Sequence, residues 1–257
     1  MRLAVAGLIV IAGLLAREAA AGESVDLELV LLADASGSID DAEIRFQRQG
    51  HAAAIMHPEI LAAVAQGYEG RIAVTYVEWG EATSQEVVAP WTIIDGRDSA
   101  AAFARALLGP PRLAIGRNAI GSAIAAAQAQ IETNGIDGFR QAIDLAADSA
   151  NSWGGIPVAE ARDAALAAGI VINGLAILCR HCESGRPVGY DLEAAFAATI
   201  IGGPGSFVIT ADGDNRFAEA VRRKLLLEIA GTDGVARRVS RLARTAGGNA
   251  ALPEPPR

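Results

Sequence analysis

Short apolar runs alternate with segments of helical periodicity along most of the chain. The run "LELVLLA", Leu27 to Ala33, is brief and almost uniformly apolar, the pattern of a strand buried on both faces of a sheet. A helical pattern follows over residues 41–56, where Asp40 and Glu43 have the spacing of a capping box and Pro58 marks the end. "RIAVTYVEW", Arg71 to Trp79, is rich in β-branched and aromatic residues and reads as a strand. "SQEVVAPWTII", Ser84 to Ile94, lies so close to it that the two form a hairpin, and Pro90 inside the second arm points to a sheet edge. Helical patterns cover residues 99–108, 120–132, 158–168, 192–201 and 215–230, and strands are expected over 139–147, 169–178 and 206–210. This alternation predicts a doubly wound α/β fold, with a mostly parallel central sheet, one antiparallel edge strand and helices on both faces.

The two ends depart from that pattern. "MRLAVAGLIVIAGLLAREAAAGES" has Arg2, an apolar segment from Leu3 to Leu15 and a small-residue stretch at Ala19-Ala20-Ala21, the form of a secretory signal with cleavage after Ala21. A membrane anchor is the competing reading, but a span needs about 20 apolar residues. No later stretch is long and apolar enough to span a bilayer, so the mature chain is expected to be a periplasmic or secreted protein. Its folded domain should run from residue 22 to 230, followed by a basic and then proline-rich tail over 231–257.

Composition narrows the function classes. At 257 residues, 51% hydrophobic and 20% charged, the chain is rich enough in apolar residues for a full core. A formal net charge of -8 disfavours nucleic acid and anionic membrane surfaces as partners. The cysteines stand in Cys179-Arg180-His181-Cys182. In an oxidising exported setting a local disulfide is favoured, with free thiols or a redox pair as alternatives.

Candidate chemistry gathers where the first core strand ends, in "LLADASGSIDD". Asp34, Ser36 and Ser38 alternate as the chain turns toward a helix, at the carboxyl edge of the sheet, where α/β proteins bind ligands. One carboxylate and two hydroxyls aimed at a common point suit a hard cation such as Mg²⁺. Turn and cap chemistry accounts for the same residue types. Asp148 ends another apolar strand in the same way, and Asn118 sits in a loop entering a helix, so both could face the same crevice.

"DASGSID" resembles the Asp-x-Ser-x-Ser motif of the metal-ion-dependent adhesion site of von Willebrand factor A domains, and the element order is similar from about Val25 to Ala230. "GRIAVTYVEW", "APWTII" and "RRKLLLEIA" resemble an exported bacterial branch of that family known mainly as a domain of unknown function. The resemblance implies a Rossmann-like fold and a site for Mg²⁺, Mn²⁺ or Ca²⁺ built from Asp34, Ser36, Ser38 and Asp148. Asn118-Ala119-Ile120-Gly121 stands where the family usually has Thr-x-Ile-Gly, and Asp148-Ser149 where it usually has Asp-Gly. Asn118 is therefore expected as a further ligand through its carbonyl oxygen. The family's ion is a binding device, with an open position for an Asp or Glu of a protein partner and no catalytic role.

The sequence leaves two other readings open. A phosphatase of the haloacid-dehalogenase type also begins with an Asp at the end of its first strand, but it wants a second acid where this chain has Ser36, and a lysine near the phosphate, where Lys224 falls in a late helix. A metal-independent small-ligand module would use the same crevice. No Gly-x-Ser-x-Gly elbow is present, and His51 and His57 are expected at the surface or at helix ends.

Overall fold

The computed structural model describes residues 22–178, 189–212 and 217–231. Six strands form the central sheet: β2 (Glu28–Asp34), β3 (Ile72–Trp79), β4 (Gln85–Ile94), β6 (Gln141–Ala147), β7 (Val171–Leu178) and β8 (Val208–Asp212), in the order β4-β3-β2-β6-β7-β8. All neighbours are parallel except β3 and β4, so the one antiparallel strand lies at an edge as expected. Pro90 sits where the β3–β4 register slips, a position that needs no ladder N–H.

Alternation along the strands sends side chains to two cores. Leu29, Leu31 and Ala33 of β2 face one layer, which holds α1 (Asp41–Ile55), α2 (Pro58–Ala65), α3 (Arg97–Leu108) and a helix over residues 217–231. Val30 and Leu32 face the other layer, with α4 (Ile120–Glu132), α5 (Val158–Ala167) and α6 (Leu192–Thr199). Every residue of β2 is buried, as a strand covered on both faces must be. The Asp40–Glu43 capping box is formed at the start of α1.

Three features differ from expectation. Pro58 does not merely end a helix: it opens α2 at the first helical position, where its missing N–H costs nothing, with His57 as the N-cap. Strands β1 (Glu23–Val25) and β5 (Ile136–Gly138) form a separate two-stranded parallel sheet, too short to carry a period-2 signal. His51 is buried, not at the surface. Its ring packs edge-on against Tyr76 and Phe217, and its Nδ1 lies 2.8 Å from the Gln47 carbonyl oxygen.

The signal-like segment, the Cys179 and Cys182 pair and the tail beyond residue 231 lie outside the described residues. Among the described residues, no helix is long and apolar enough to cross a membrane.

Candidate metal site

Asp34 is the last residue of the central strand β2, and β6, which leads to Asp148, is its immediate neighbour. The strand therefore delivers a carboxylate to the carboxyl edge of the sheet at only 1% exposure. The Ser36 backbone N–H donates to Asp34 Oδ1 at 2.8 Å, the local turn that Asp favours. Asp34 Oδ2 is buried and has no hydrogen-bond partner. The hydroxyls of Ser36 and Ser38 lie 3.4 Å apart, Ser36 buried and Ser38 exposed.

Asp148, one residue beyond β6, shares this crevice. Its Oδ1 is also buried without a partner, and the nearby Ser38 hydroxyl favours its charged form. Burial first, and then the Asp148 charge, push the Asp34 carboxyl up to about 7, and burial raises Asp148 as well. A buried carboxylate, Asp34, and a half-buried one, Asp148, converge here with no cationic side chain bonded to either. An unmet carboxylate oxygen is costly inside a protein unless a cation or a proton answers it. The donor set, two carboxylates and two hydroxyls, is one that a hard divalent ion takes. Among the described residues, no three His, Cys, Asp or Glu side chains cluster as a metal group, so any such site depends on the serines.

Asn118 occupies the loop before α4, as expected, at 7% exposure. Its Oδ1 accepts from the Trp79 indole N–H at 3.0 Å, and its Nδ2 is buried with no partner.

Several residues that sequence reasoning passed over hold this geometry. The Arg112 guanidinium donates to the carbonyl oxygens of Ala35 at 2.5 Å, Ser36 at 3.0 Å and Ile39 at 2.7 Å, stapling the Asp-x-Ser-x-Ser loop from outside. Gly116, at φ +95°, turns its carbonyl to accept from Gly37 N–H at 2.8 Å, and a Cβ there would strike the Glu81 side chain. The Tyr190 hydroxyl accepts from Ala150 N–H at 3.0 Å, fixing the loop after Asp148. Nothing in composition or spacing marks Arg112 or Tyr190, because both act across the fold from distant loops. Trp79 sat in plain view as the last residue of its strand.

Lys224, which a phosphatase would need at the site, is completely buried in the other layer. It pairs there with Asp144 in mid-strand and with Glu228 at 3.3 Å.

The doubly wound, mostly parallel sheet flanked by helices is the fold of von Willebrand factor A domains, and comparison with solved structures bears out that likeness of fold. Proximal thread matrix protein 1 from the mussel byssus is similar with a TM-score of 0.56 at 16% identity, over 81% of this chain and 49% of that one. A further structure of that protein, described as having a zinc-occupied MIDAS motif, gives 0.54 at 16% identity, over 81% and 49%. A von Willebrand factor type A protein from Catenulispora acidiphila gives 0.55 at 18% identity, over 80% and 43%. The chain thus spans about half the length of these proteins, and at such identities the likeness is one of fold. The model of the family described as protein of unknown function, DUF1194, matches residues 24–233, and the chain belongs to that family. No curated protein matches it.

Proposed function

We propose that this chain is an exported binding protein that captures a carboxylate of a protein partner at a divalent-cation site, with no turnover of its own. Asp34, Ser36, Ser38 and Asp148 would hold Mg²⁺, Mn²⁺ or Ca²⁺. The observation that carries the reading is the pair of buried, unpartnered carboxylate oxygens, Asp34 Oδ2 and Asp148 Oδ1, facing one crevice beside two serine hydroxyls. A divalent ion on this set supplies an open coordination position that an outside Asp or Glu can fill.

The surroundings favour a protein as the occupant. Ile115, Trp153 and Tyr190 are large and exposed on the loops that touch the site, with Trp153 at 52%. The Arg117 guanidinium lies 4.3 Å from the centre of the Trp153 ring. Exposed aromatic side chains and an arginine are what interface centres are enriched in. Against turnover stands the state of the histidines: His51 is buried on Gln47, and His57 caps α2.

The test begins with the ion. Mg²⁺ or Mn²⁺ should raise the melting temperature of the wild type by mass action and leave Asp34→Ala unmoved. A captured partner should then be released by chelator without loss of the circular dichroism signal. An ion response shared by wild type and Asp34→Ala, or absent from both, defeats the reading.

A further inference from the structure

We propose that Asn118 forms a hydrogen-bond subsite for the second oxygen of a carboxylate bound at the site, and that it is not a ligand of the ion. The inference rests on the ion-binding reading above. It assigns to Asn118 a role that the Thr-to-Asn departure in the sequence does not by itself suggest.

The amide orientation is fixed by chemistry. Trp79 Nε1 can only donate, so the Asn118 atom 3.0 Å from it must be the carbonyl oxygen; the flipped amide would set donor against donor. Flanking backbone holds the residue in place. Asn118 O accepts from Trp153 N–H at 2.7 Å, and Ala119 N–H donates to Gly80 O at 3.0 Å. The side chain therefore presents Nδ2, buried and unpartnered, as its free group.

Placement brings this donor to the candidate site. Trp79 and Asp34 are cross-strand partners at the last rung of β2 and β3, and Ala35 N–H donates to Trp79 O at 2.9 Å. Alternation puts Asp34 on the same face as Val30 and Leu32, the face that Trp79 and α4 also pack. An amide NH₂ carries no lone pair for a cation, so it cannot replace a threonine hydroxyl as a ligand. Two buried acceptors, Asp34 Oδ2 and Asp148 Oδ1, and one buried donor, Asn118 Nδ2, thus share this end of the sheet without bonding one another.

An ion answers the acceptors, and the donor then needs an acceptor of its own. A metal-bound water has its lone pair turned to the ion and is a poor one. A carboxylate with one oxygen on the ion keeps free lone pairs on the other. The pairing selects a carboxylate over a ligand with a single oxygen, because only the carboxylate satisfies both the ion and Nδ2.

The test uses the chain from residue 22 to 257, Mn²⁺ as the ion and acetate as the carboxylate probe, with Mn²⁺ affinity measured by calorimetry at matched ionic strength in chloride and in acetate. Acetate should tighten Mn²⁺ binding to the wild type. In Asn118→Ala the affinity in chloride should stay within about twofold, while the acetate effect falls by about tenfold, the scale of one hydrogen bond to a charged group. Because Asn118→Ala strands the Trp79 N–H, Asn118→Asp serves as second variant: it keeps that acceptor, and acetate should no longer tighten its Mn²⁺ binding. A loss of more than about tenfold in chloride for Asn118→Ala would make Asn118 a ligand and overturn the inference. An acetate effect that is absent from the wild type, or equal in all three proteins, overturns it while leaving the ion site standing. No Mn²⁺ binding by the wild type overturns the ion site and this inference together.

Discussion

Asp34 and Asp148 stand at the ends of adjacent regions of one sheet, each with a buried carboxylate oxygen that no hydrogen bond reaches. Burial and the Asp148 charge push the Asp34 carboxyl up to about 7, so the ion-free protein holds a proton there that the unfolded chain has already lost. Between pH of about 4 and about 7 the folded state binds more protons than the unfolded state, and stability falls as pH rises. The loss is complete above the folded-state value. Glu228 is also raised to about 7 and adds to the same trend, so a comparison with Asp34→Asn isolates the site. In chelator, Asp34→Asn should gain on the wild type by a few kcal/mol between pH 5 and 8, measured by urea unfolding. In Mg²⁺ the ordering should reverse at pH 8, where the ion takes up the deprotonated pair. Parallel pH profiles for the two proteins in chelator would show that Asp34 ionises normally.

Arg112 tests whether the loop must be pre-set to bind. Its guanidinium bonds three carbonyl oxygens of the Asp-x-Ser-x-Ser loop and lies 3.6 Å from Asp41, with the Arg112 side chain partly exposed. Arg112→Ala should cost about 1–2 kcal/mol of stability, since several hydrogen bonds to a charged donor are lost at a partly exposed position. Mn²⁺ affinity should fall about tenfold or more, because the loop no longer enters binding already ordered. Calorimetric titration checks this, and an unchanged affinity would mean that the backbone turn and the Gly116 contact order the loop without help.

The sheet and most helices were legible because each leaves a local mark: mostly apolar runs for β2 and β6, period 3.6 for α4, Asp40 and Glu43 at the start of α1. Asp34, Ser36 and Ser38 were legible as well, since three polar residues directly follow a buried strand. What could not be read was contact across the fold. Arg112 lies more than 70 residues from the carbonyl oxygens it holds, and the Trp79 to Asn118 bond spans 39 positions. His51, on the first helix, carried no local mark that separates a surface position or a helix end from the core. Its burial follows from the aromatic pocket that Tyr76 and Phe217 bring from two other elements.

The exposed rim separates partner capture from ion binding. Trp153 is half exposed, and its ring stacks only on Arg117 at 4.3 Å among the described contacts of aromatic and cationic groups. Trp153→Ala should shift stability by no more than about 1 kcal/mol and leave the Mn²⁺ affinity within about twofold. Loss of a captured protein partner by this variant, with the ion still bound, would place the apolar rim in the interface. Retained capture would confine recognition to the carboxylate.

Lys224 and Asp144 probe what holds the helix over residues 217–231 against the sheet. Lys224 is at 0% exposure and Asp144 at 2%, and the ammonium also meets Glu228, whose two carboxylate oxygens each accept from Asn173 Nδ2 at 2.9 Å. A buried charge left alone is far more costly than the pair itself, because desolvation of both ions offsets much of their attraction. Lys224→Met should therefore lose about 3–5 kcal/mol, leaving Asp144 and Glu228 facing each other without a cation. The double variant Lys224→Met with Asp144→Leu should recover part of that loss, since it removes one of the two stranded carboxyl groups and fills the space with apolar atoms. Denaturant unfolding of the wild type, both singles and the double measures the coupling directly. Additive losses in the double would mean that Glu228 and Asn173, rather than Asp144, are the groups that Lys224 stabilises. The metal end gives an internal control: Lys224 lies in the opposite layer from Asp34, so a variant that still folds should keep its Mn²⁺ affinity.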